Sequence, residues 1–424
     1  MEKPLSFHEI MPEEVWKWKY LESQIEQVLS LYNYQEIRLS VLQDYNILYK
    51  GMTALLDTDE VQMVTQQLLN LDQPDRNISL LSLRPEGTIN VLNHVAYRFQ
   101  DDKIHRIFYH GPMFRRDSDQ KPMEFYQLGV ELLGSDSILS ENEIISLGMK
   151  ICEQLGLKDA WMEINSFGCD ACRPLFFTAM REWLDKNKAG YCQTCFKALY
   201  NNPLHSTECL KGDCLHSAKQ GPKIQDHLCP KCKKNFHRVK QIQANIANEY
   251  KVNHHLFKNF SYYNETVFNF MINRNGKAEV IGGGGRYDFL SNRITGKQID
   301  AVGFYLNLDL VYQIMSDRKL FQTQTKPFRV YICSQSIDLE IMLLQIVQEL
   351  HHSNLSTIIS ADIMDTNAEM ANALKNDCQA MIILREENIR EGKALLKNMV
   401  KEKQEYVSLS SLLAEIDLIR KAVQ

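Results

Sequence analysis

Within residues 106–134, RIFYHGPMFRRDSDQKPMEFYQLGVELLG, an arginine, a glutamine and a glutamate are spaced so that they could act on one ligand. Two β-rich arms, 106–109 and 125–133, flank a polar Asp/Ser/Gln/Pro centre, the pattern of antiparallel strands joined by a long loop. Arg115 falls where the first arm enters that loop. Its planar fork of donors suits a phosphate or carboxylate better than the point charge of a lysine. Side chains alternate along a strand, so Phe125, Gln127, Gly129 and Glu131 share a face. Gln127 and Glu131 then project together beside Arg115, and Gly129 leaves room for a ligand. A solvated hairpin with a surface arginine is the alternative that this stretch alone leaves open.

Cysteines form the second constellation: Cys169-x2-Cys172, Cys192-x2-Cys195, Cys209-x4-Cys214 and Cys229-x2-Cys232. Four clusters at ligand-like spacing are far more specific for metal than one pair. A tetrahedral zinc with thiolate ligands needs two pairs. Cys192, Cys195, Cys229 and Cys232 are expected to form that site, leaving Cys169, Cys172, Cys209 and Cys214 as a second site or a free set. Reduced cysteines without metal are the competing reading, since such a segment can fold on an apolar core alone.

The elements that must position these groups follow from periodicity. After Pro12, Val15, Trp18, Leu21, Ile25, Val28, Leu29 and Tyr32 recur at helical spacing, with Glu13 and Glu14 favourable in the first turn. That apolar stripe exceeds what one monomer should expose and predicts a symmetric partner. Residues 35–41 alternate as a strand. Residues 77–82 lead as a strand into LRPEGT, 83–88, with Thr88 a plausible N-cap of an apolar helix through Val91 and Val95. Ser140 and Glu143 read as a capping box ahead of a helix through Ile144 and Ile151. The four glycines 282–285 allow close approach of backbone and ligand. From Phe328 onward strands and helices alternate, including a helix after Gly392, as in a small doubly wound α/β domain.

At 424 residues, two or three domains are expected. A net charge of −5 and a pI near 6.2 do not advertise nucleic-acid binding, although a local basic groove can sit on an acidic protein. No apolar run is long enough to span a bilayer, and the opening MEKPLSFHEIMPEEV lacks the layout of a signal peptide. The cytoplasm is therefore the expected compartment. There the eleven cysteines stay reduced, which favours metal ligation over disulfides.

The 106–134 stretch resembles motif 2 of the class II aminoacyl-tRNA synthetases, in particular the histidyl-tRNA synthetases, where GPMFR and QxGVE are near-literal matches. LRPEGT matches that family's histidine-binding loop, YYNETVF and IGGGGRYD resemble its two histidine motifs, and residues 12–41 resemble motif 1. The segment containing NNPLHSTEC and HLCPKC is similar to an insertion that leans over the tRNA acceptor stem. Residues from 328 resemble a class IIa anticodon-binding domain, so the likeness covers nearly the entire chain.

This resemblance implies an α+β fold: an antiparallel-sheet catalytic domain over 1–325 with a helical cysteine-rich insertion at about 169–240, then an α/β anticodon-binding-type domain over 326–424. It implies ATP-dependent activation of L-histidine and its transfer to tRNA(His) by a cytoplasmic homodimer, with Mg2+ accompanying ATP and no membrane partner. Arg115 would clamp the α-phosphate and the attacking carboxylate, with Arg286 also at ATP. Glu86 would hold the α-ammonium, beside Gly87 and Thr88, while Gln127, Glu131, Tyr262, Tyr263 and Tyr287 line the amino-acid pocket. A carboxylate facing an ammonium is a sound receptor, because neither charge is then left unpaired.

Several positions depart from the family pattern. Ser40 replaces a proline, and Leu5, Ser6 and Phe7 stand where arginine, glycine and threonine are usual. Lys258 replaces a catalytic arginine and keeps the charge without the fork. The motif 3 helix reads Asn307, Leu308, Asp309, Leu310, so the arginine that meets adenine and the γ-phosphate is absent, and Met123 stands at another arginine position. An alternative follows: a histidine-binding regulatory protein on the same scaffold, like the regulatory subunit of ATP phosphoribosyltransferase.

Overall fold

Helical spacing after Pro12 becomes the helix Pro12–Leu31, with Pro12 in its first turn and Glu13 and Glu14 against the positive end of its dipole. The computed structural model describes residues 9–53, 61, 65–71, 80–98, 103–116, 122–204, 213–246, 248–256, 258, 262–322, 327–361 and 365–423. Contacts divide the chain into two units, Met1–Phe321 and Gln322–Gln424. The fold is α+β, as expected.

In the first unit the strands are β1 (Gln35–Glu36), β2 (Leu42–Asp44), β3 (Leu81–Leu83), β4 (His105–Arg116), β5 (Pro122–Leu133), β6 (Trp161–Ser166), β7 (Tyr250–Val252), β8 (Asn264–Arg274), β9 (Lys277–Arg286) and β10 (Ala301–Asn307). Eight of them form one sheet in the order β1-β4-β5-β10-β9-β8-β6-β7, antiparallel except for the edge pairs β1/β4 and β6/β7. Strands β2 and β3 pair separately. Behind the sheet, Trp18, Leu21, Ile25, Val28 and Leu29 of the first helix share an apolar layer with Ile144, Ile145 and Ile151 of the helix Ile138–Gln154 and Val311 and Ile314 of the helix Leu308–Asp317. The stripe expected to seek a partner subunit is therefore buried within its own chain. Exposed apolar side chains of this unit include Met11 and Leu31 at the ends of that helix, Val41 beside β2, Leu42 in it, and Tyr49, Leu71 and Leu80.

Three local expectations are corrected. The strand expected over 35–41 stops early: Arg84 donates from Nη1 to the Leu39 carbonyl at 2.7 Å and from Nε to the Pro112 carbonyl at 2.8 Å, so the chain is held by a guanidinium where ladder bonds were expected. The helix Ile138–Gln154 is capped by Ser137, whose Oγ accepts from the Leu139 amide at 3.2 Å. Ser140 instead donates to Ser135, and Glu143 turns to Arg106, whose Nε and Nη2 reach it at 2.7 and 2.8 Å. In the second unit, 393–398 is a strand and not a helix.

That unit contains β11 (Arg329–Ser334), β12 (Ser356–Ile359), β13 (Ala380–Leu384), β14 (Lys393–Asn398) and β15 (Lys403–Ser408), in the order β12-β11-β13-β14-β15. Strands β11, β12 and β13 run parallel, whereas β14 and β15 pair antiparallel. Gly392 at φ +71° ends the short helix Glu386–Arg390, and the Ala394, Leu395 and Leu396 side chains are all buried. Pairing to two neighbours overrides the helix propensity of KALLK.

Candidate active site

The register of the large sheet decides which side chains meet. Directly paired residues point to the same face, and β5 pairs Gly129 with Tyr109 and Tyr305, Glu131 with Ile107 and Gly303, and Gln127 with Gly111 and Asn307. Strand β10 in turn pairs Tyr305 with Gly283 and Gly303 with Gly285, and β8 sets Asn269 against Gly283. Phe125, Gln127, Gly129 and Glu131 thus lie on the face that carries Tyr109, Tyr305 and the glycines 283 and 285.

At one end of this face is a buried cluster of carboxyls and phenols. Glu86 is 4% exposed and ends the loop before the helix Thr88–Arg98, where it accepts from the Thr88 and Ile89 amides at 2.7 and 2.9 Å. The carboxyl two residues earlier, rather than Thr88, satisfies the first helix amides. The Thr88 hydroxyl is freed to donate to Glu131 at 2.7 Å. Glu131, 2% exposed, also receives the hydroxyls of Tyr287 and, at 3.4 Å, Tyr109. Tyr262, Tyr263 and Tyr287 are buried together, with ring centroids 4.8 to 6.2 Å apart.

Burial dominates the electrostatics here. It pushes the Glu86 carboxyl up to about 7 and the Glu131 carboxyl up to about 8, in spite of the hydrogen bonds that favour their ionised forms. Among the described residues neither carboxyl forms an ion pair. The pocket is therefore short of one cation, which an ammonium-bearing ligand can supply.

Arg115 stands next to this pocket. Its guanidinium lies 4.4 Å from the centroid of the Phe125 ring and near Glu86, and burial lowers its pKa from the ordinary value; among the described residues it makes no hydrogen bond or ion pair. Lys258 approaches the same face over the glycine run. Its Nζ donates to the Phe268 carbonyl and the Asn269 side chain, each at 2.6 Å, and burial pushes it down to about 7. A Cβ at position 283 would lie 2.6 Å from that Nζ, so the glycine is what admits the lysine. The segment 117–121 between β4 and β5, and Phe257 and residues 259–261 beside Lys258, lie outside the described residues.

The structure brings together Glu86, Gly87, Thr88, Gln127, Glu131, Tyr262, Tyr263, Tyr287 and, at one side, Arg115 and Lys258. It removes Arg286. That side chain is 2% exposed and fully engaged with Glu141 at 2.8 Å, Asp288 at 2.9 Å and the Ser135 and Ser137 carbonyls, so it joins a strand to a helix and offers nothing to ATP. The room expected at Gly129 is taken as well. The Tyr109 ring would lie 2.1 Å from a Cβ at Gly129 and 2.2 Å from one at Gly87, so both glycines make way for that tyrosine. Sequence reasoning missed Tyr109, Asn269 and Tyr305. The signal available was a glycine opposite an aromatic in adjoining arms, which marks a ring lying across the strand.

At the motif 3 position, Asn307 caps the following helix by accepting from the Leu310 amide at 3.0 Å, and Asp309 accepts from the Tyr126 amide at 2.7 Å. Leu310 packs against the apolar layer behind the sheet.

The cysteines group differently from the pairing expected. Cys229 and Cys232 meet Cys169 and Cys172, while Cys192 and Cys195 meet Cys214. The physical reason is the chain path: Cys169 and Cys172 precede the helix Arg173–Lys186 and Cys229 and Cys232 open the helix Pro230–Asn245, so the entry and exit of the insertion converge, while the helices Gln193–Asn201 and Asp213–Gln220 close on each other. Cys209 lies outside the described residues.

Comparisons with known proteins point in one direction. A family model described as histidyl-tRNA synthetase matches residues 6–169 and 213–311. The histidine–tRNA ligase of Desulforamulus reducens is 30% identical over 418 residues, 97% of each chain. That of Acetivibrio thermocellus is 30% identical over 424 residues, 98% of this chain and 99% of the relative. In fold, the chain is similar to apo histidyl-tRNA synthetase of S. aureus, at a TM-score of 0.77 and 22% identity over 98% of this chain and 99% of that one. It is also similar to a Bacillus halodurans C chain described as an ATP phosphoribosyltransferase regulatory subunit/histidyl-tRNA synthetase, at a TM-score of 0.63 and 21% identity over 90% and 98%. No helix among the described residues is long and apolar enough to cross a membrane.

Proposed function

Since the chain belongs to the histidyl-tRNA synthetase family, we propose that it binds L-histidine, activates it with ATP and Mg2+, and transfers it to tRNA(His). The observation that carries this reading is the cluster of two buried carboxyls, three tyrosines and a threonine beside an arginine whose guanidinium, among the described residues, makes no hydrogen bond or ion pair. Glu86 receives the ligand's α-ammonium, with Gly87 and Thr88 shaping the loop around it. Glu131, Gln127, Tyr262, Tyr263 and Tyr287 surround the side chain. Arg115 then faces the carboxylate and the α-phosphate that this carboxylate attacks, where a fixed bidentate cation stabilises the charge developing in the transition state. Lys258 supplies a second cation, weakened by burial. Mg2+ bound with ATP would neutralise the outer phosphates.

The protein works in the cytoplasm as a homodimer. The exposed apolar groups at Val41, Leu42, Tyr49, Leu71 and Leu80 support that assembly better than the buried helix Pro12–Leu31. Zinc, held by thiolates of the insertion, serves structure and takes no part in these steps.

Leu310 favours a second reading. Without a cation there, activation is slower by on the order of 10²–10³, and a protein that binds histidine without forming histidyl-tRNA acts instead as a regulatory subunit. Charging of tRNA(His) with labelled histidine, run beside calorimetric histidine binding, separates the two. Charging establishes the ligase, binding without charging establishes the regulator, and no binding refutes the pocket.

A further inference from the structure

We propose that Cys169, Cys172, Cys229 and Cys232 hold one zinc ion as a closed tetrathiolate that clamps the entry and exit of the insertion onto the segment carrying Tyr262 and Tyr263. The four sulfurs lie within 4.8 Å of one another, with Cys169 3.6 Å from Cys172 and 3.9 Å from Cys229. A tetrahedral zinc with bonds of about 2.3 Å to sulfur has ligand edges of about 3.8 Å. The cluster is thus already at coordination spacing.

Its surroundings suit thiolates. Cys172 precedes the 14-residue helix Arg173–Lys186, and Cys229 precedes the 16-residue helix Pro230–Asn245, whose first turn contains Cys232. Two positive helix ends converge on the sulfurs, and the Cys229 amide donates to Cys172 Sγ at 3.1 Å. Such N–H···S contacts orient a thiolate and offset the charge that four of them bring to one ion.

The clamp reaches the pocket through a short, bonded path. Phe167 donates to the Glu265 carbonyl at 2.7 Å, Glu265 donates to the Gly168 carbonyl at 3.0 Å, and Arg173, next to Cys172, donates to the Tyr263 carbonyl. From the other helix Asn235 donates to the Glu265 carboxylate at 3.1 Å. Glu265 itself sits at φ +48°, a left-handed conformation unusual for glutamate, where the β8/β9 register breaks between Asn264 and Val267. A strained residue of this kind persists only where its surroundings over-determine it. Here both cysteine-bearing segments do so, and Tyr263 and Tyr262 lie two and three residues before it. Cys192, Cys195 and Cys214 form a separate cluster and serve as the contrast.

The metal assignment stands apart from the histidine-activation reading; the coupling to the pocket rests on it. Metal content of the full-length protein is measured by elemental analysis, and the cobalt-substituted protein is examined by absorption spectroscopy. The expected wild-type result is zinc, and for cobalt the sulfur-to-metal charge transfer and strong visible bands of a tetrahedral thiolate site. Cys169→Ser/Cys229→Ser is expected to lose one zinc per chain together with those bands, and Cys192→Ser/Cys195→Ser to keep them. Absence of zinc from reduced wild-type protein, or loss of the bands in the second variant alone, overturns the assignment. If the first variant fails to fold, the wild-type cobalt spectrum decides. Arg173→Met is expected to keep metal and spectrum while its histidine affinity falls about tenfold, as when the pocket-competent state drops to about a tenth of the population. Unchanged affinity in that variant overturns the coupling and leaves the metal site standing. Failure of the wild type to bind histidine refutes the functional reading, with the metal result unaffected.

Discussion

Replacing Glu86 with glutamine is expected to stabilise the free protein at alkaline pH while nearly abolishing histidine binding. Glu86 is buried, has two backbone amides as partners and no cation in contact among the described residues, and burial carries it from 4.5 to about 7. At about 1.36 kcal/mol per tenfold step, that displacement amounts to about 3 kcal/mol. The folded protein holds the Glu86 proton more tightly than the unfolded chain does. Its stabilising contribution is therefore fully present below pH 4.5 and lost as the pH rises through 7. Glutamine has nearly the shape of the acid, with a carbonyl acceptor and an NH2 donor group in place of the second oxygen; it stays neutral at every pH and undergoes no such loss. At pH 8 the variant's first unit is expected to unfold about 5 °C higher than wild type, taking roughly 2 °C per kcal/mol for a domain of this size. At pH 5 the two should nearly coincide.

Histidine binding moves the other way. The ligand's ammonium would be desolvated against a neutral amide, and truncating one partner of such a charge pair commonly costs about 2–5 kcal/mol, a loss of about a hundredfold or more in affinity. Calorimetric titration at pH 8 and thermal unfolding at both pH values test both halves together. A variant equally destabilised at pH 5 and pH 8 would show that Glu86 carries no ionic cost. Undiminished histidine affinity would remove Glu86 from the pocket.

Wild-type histidine affinity is expected to fall about twofold between pH 8.5 and pH 7, a window in which free imidazole stays mostly neutral, because the buried Glu86 takes up a proton near 7 that the ammonium must displace; a flat calorimetric profile contradicts this. Glu141→Ala is expected to destabilise the first unit by about 3–5 kcal/mol, since it strips one partner from the buried Arg286 guanidinium; a midpoint shift under 2 °C would indicate that Asp288 suffices. Lys258→Arg with Leu310→Arg is expected to raise histidine-dependent pyrophosphate exchange at least tenfold by restoring a bidentate fork at the first position and a cation at the second, and an unchanged rate would show that the missing arginines do not limit activation.

Period-two alternation made the β5 face legible, because a residue's face within a strand is a local property. Gln127, Glu131 and Phe125 could be placed together before any tertiary contact was known. What could not be read was competition between partners. Ser140 and Glu143 have the spacing of a capping box, yet Arg106, from a strand distant in sequence, takes the glutamate with two hydrogen bonds near 2.8 Å. Residues 393–398 carry helix formers, and only the neighbouring strands reveal that their apolar side chains belong to a sheet. The cysteine pairing failed for a related reason. Spacing identifies which pairs can ligate, but which pair meets which depends on where the insertion's helices begin and end.

Recognition of the amino acid and handling of the triphosphate rest on different parts of the same scaffold, and that separation explains how one can stay intact while the other departs from the family pattern. The pocket is built from the loop at Glu86, from β5, from the Tyr262 and Tyr263 rings packed on Tyr287, and from three hydroxyls, those of Thr88, Tyr109 and Tyr287, that converge on Glu131. Losing any one of them would leave a buried polar atom unsatisfied, so the set is held by stability as well as by ligand binding. Leu310 has no such obligation. It lies on the helix that leaves β10, and in place of a charge it adds apolar contact to the layer behind the sheet. Lys258 is the intermediate case: its two acceptors satisfy the ammonium without a phosphate present, so the position can keep a cation for structural reasons after the need for a bidentate fork has gone. The fold therefore penalises loss of the hydroxyls around Glu131 more severely than loss of a cation at position 310.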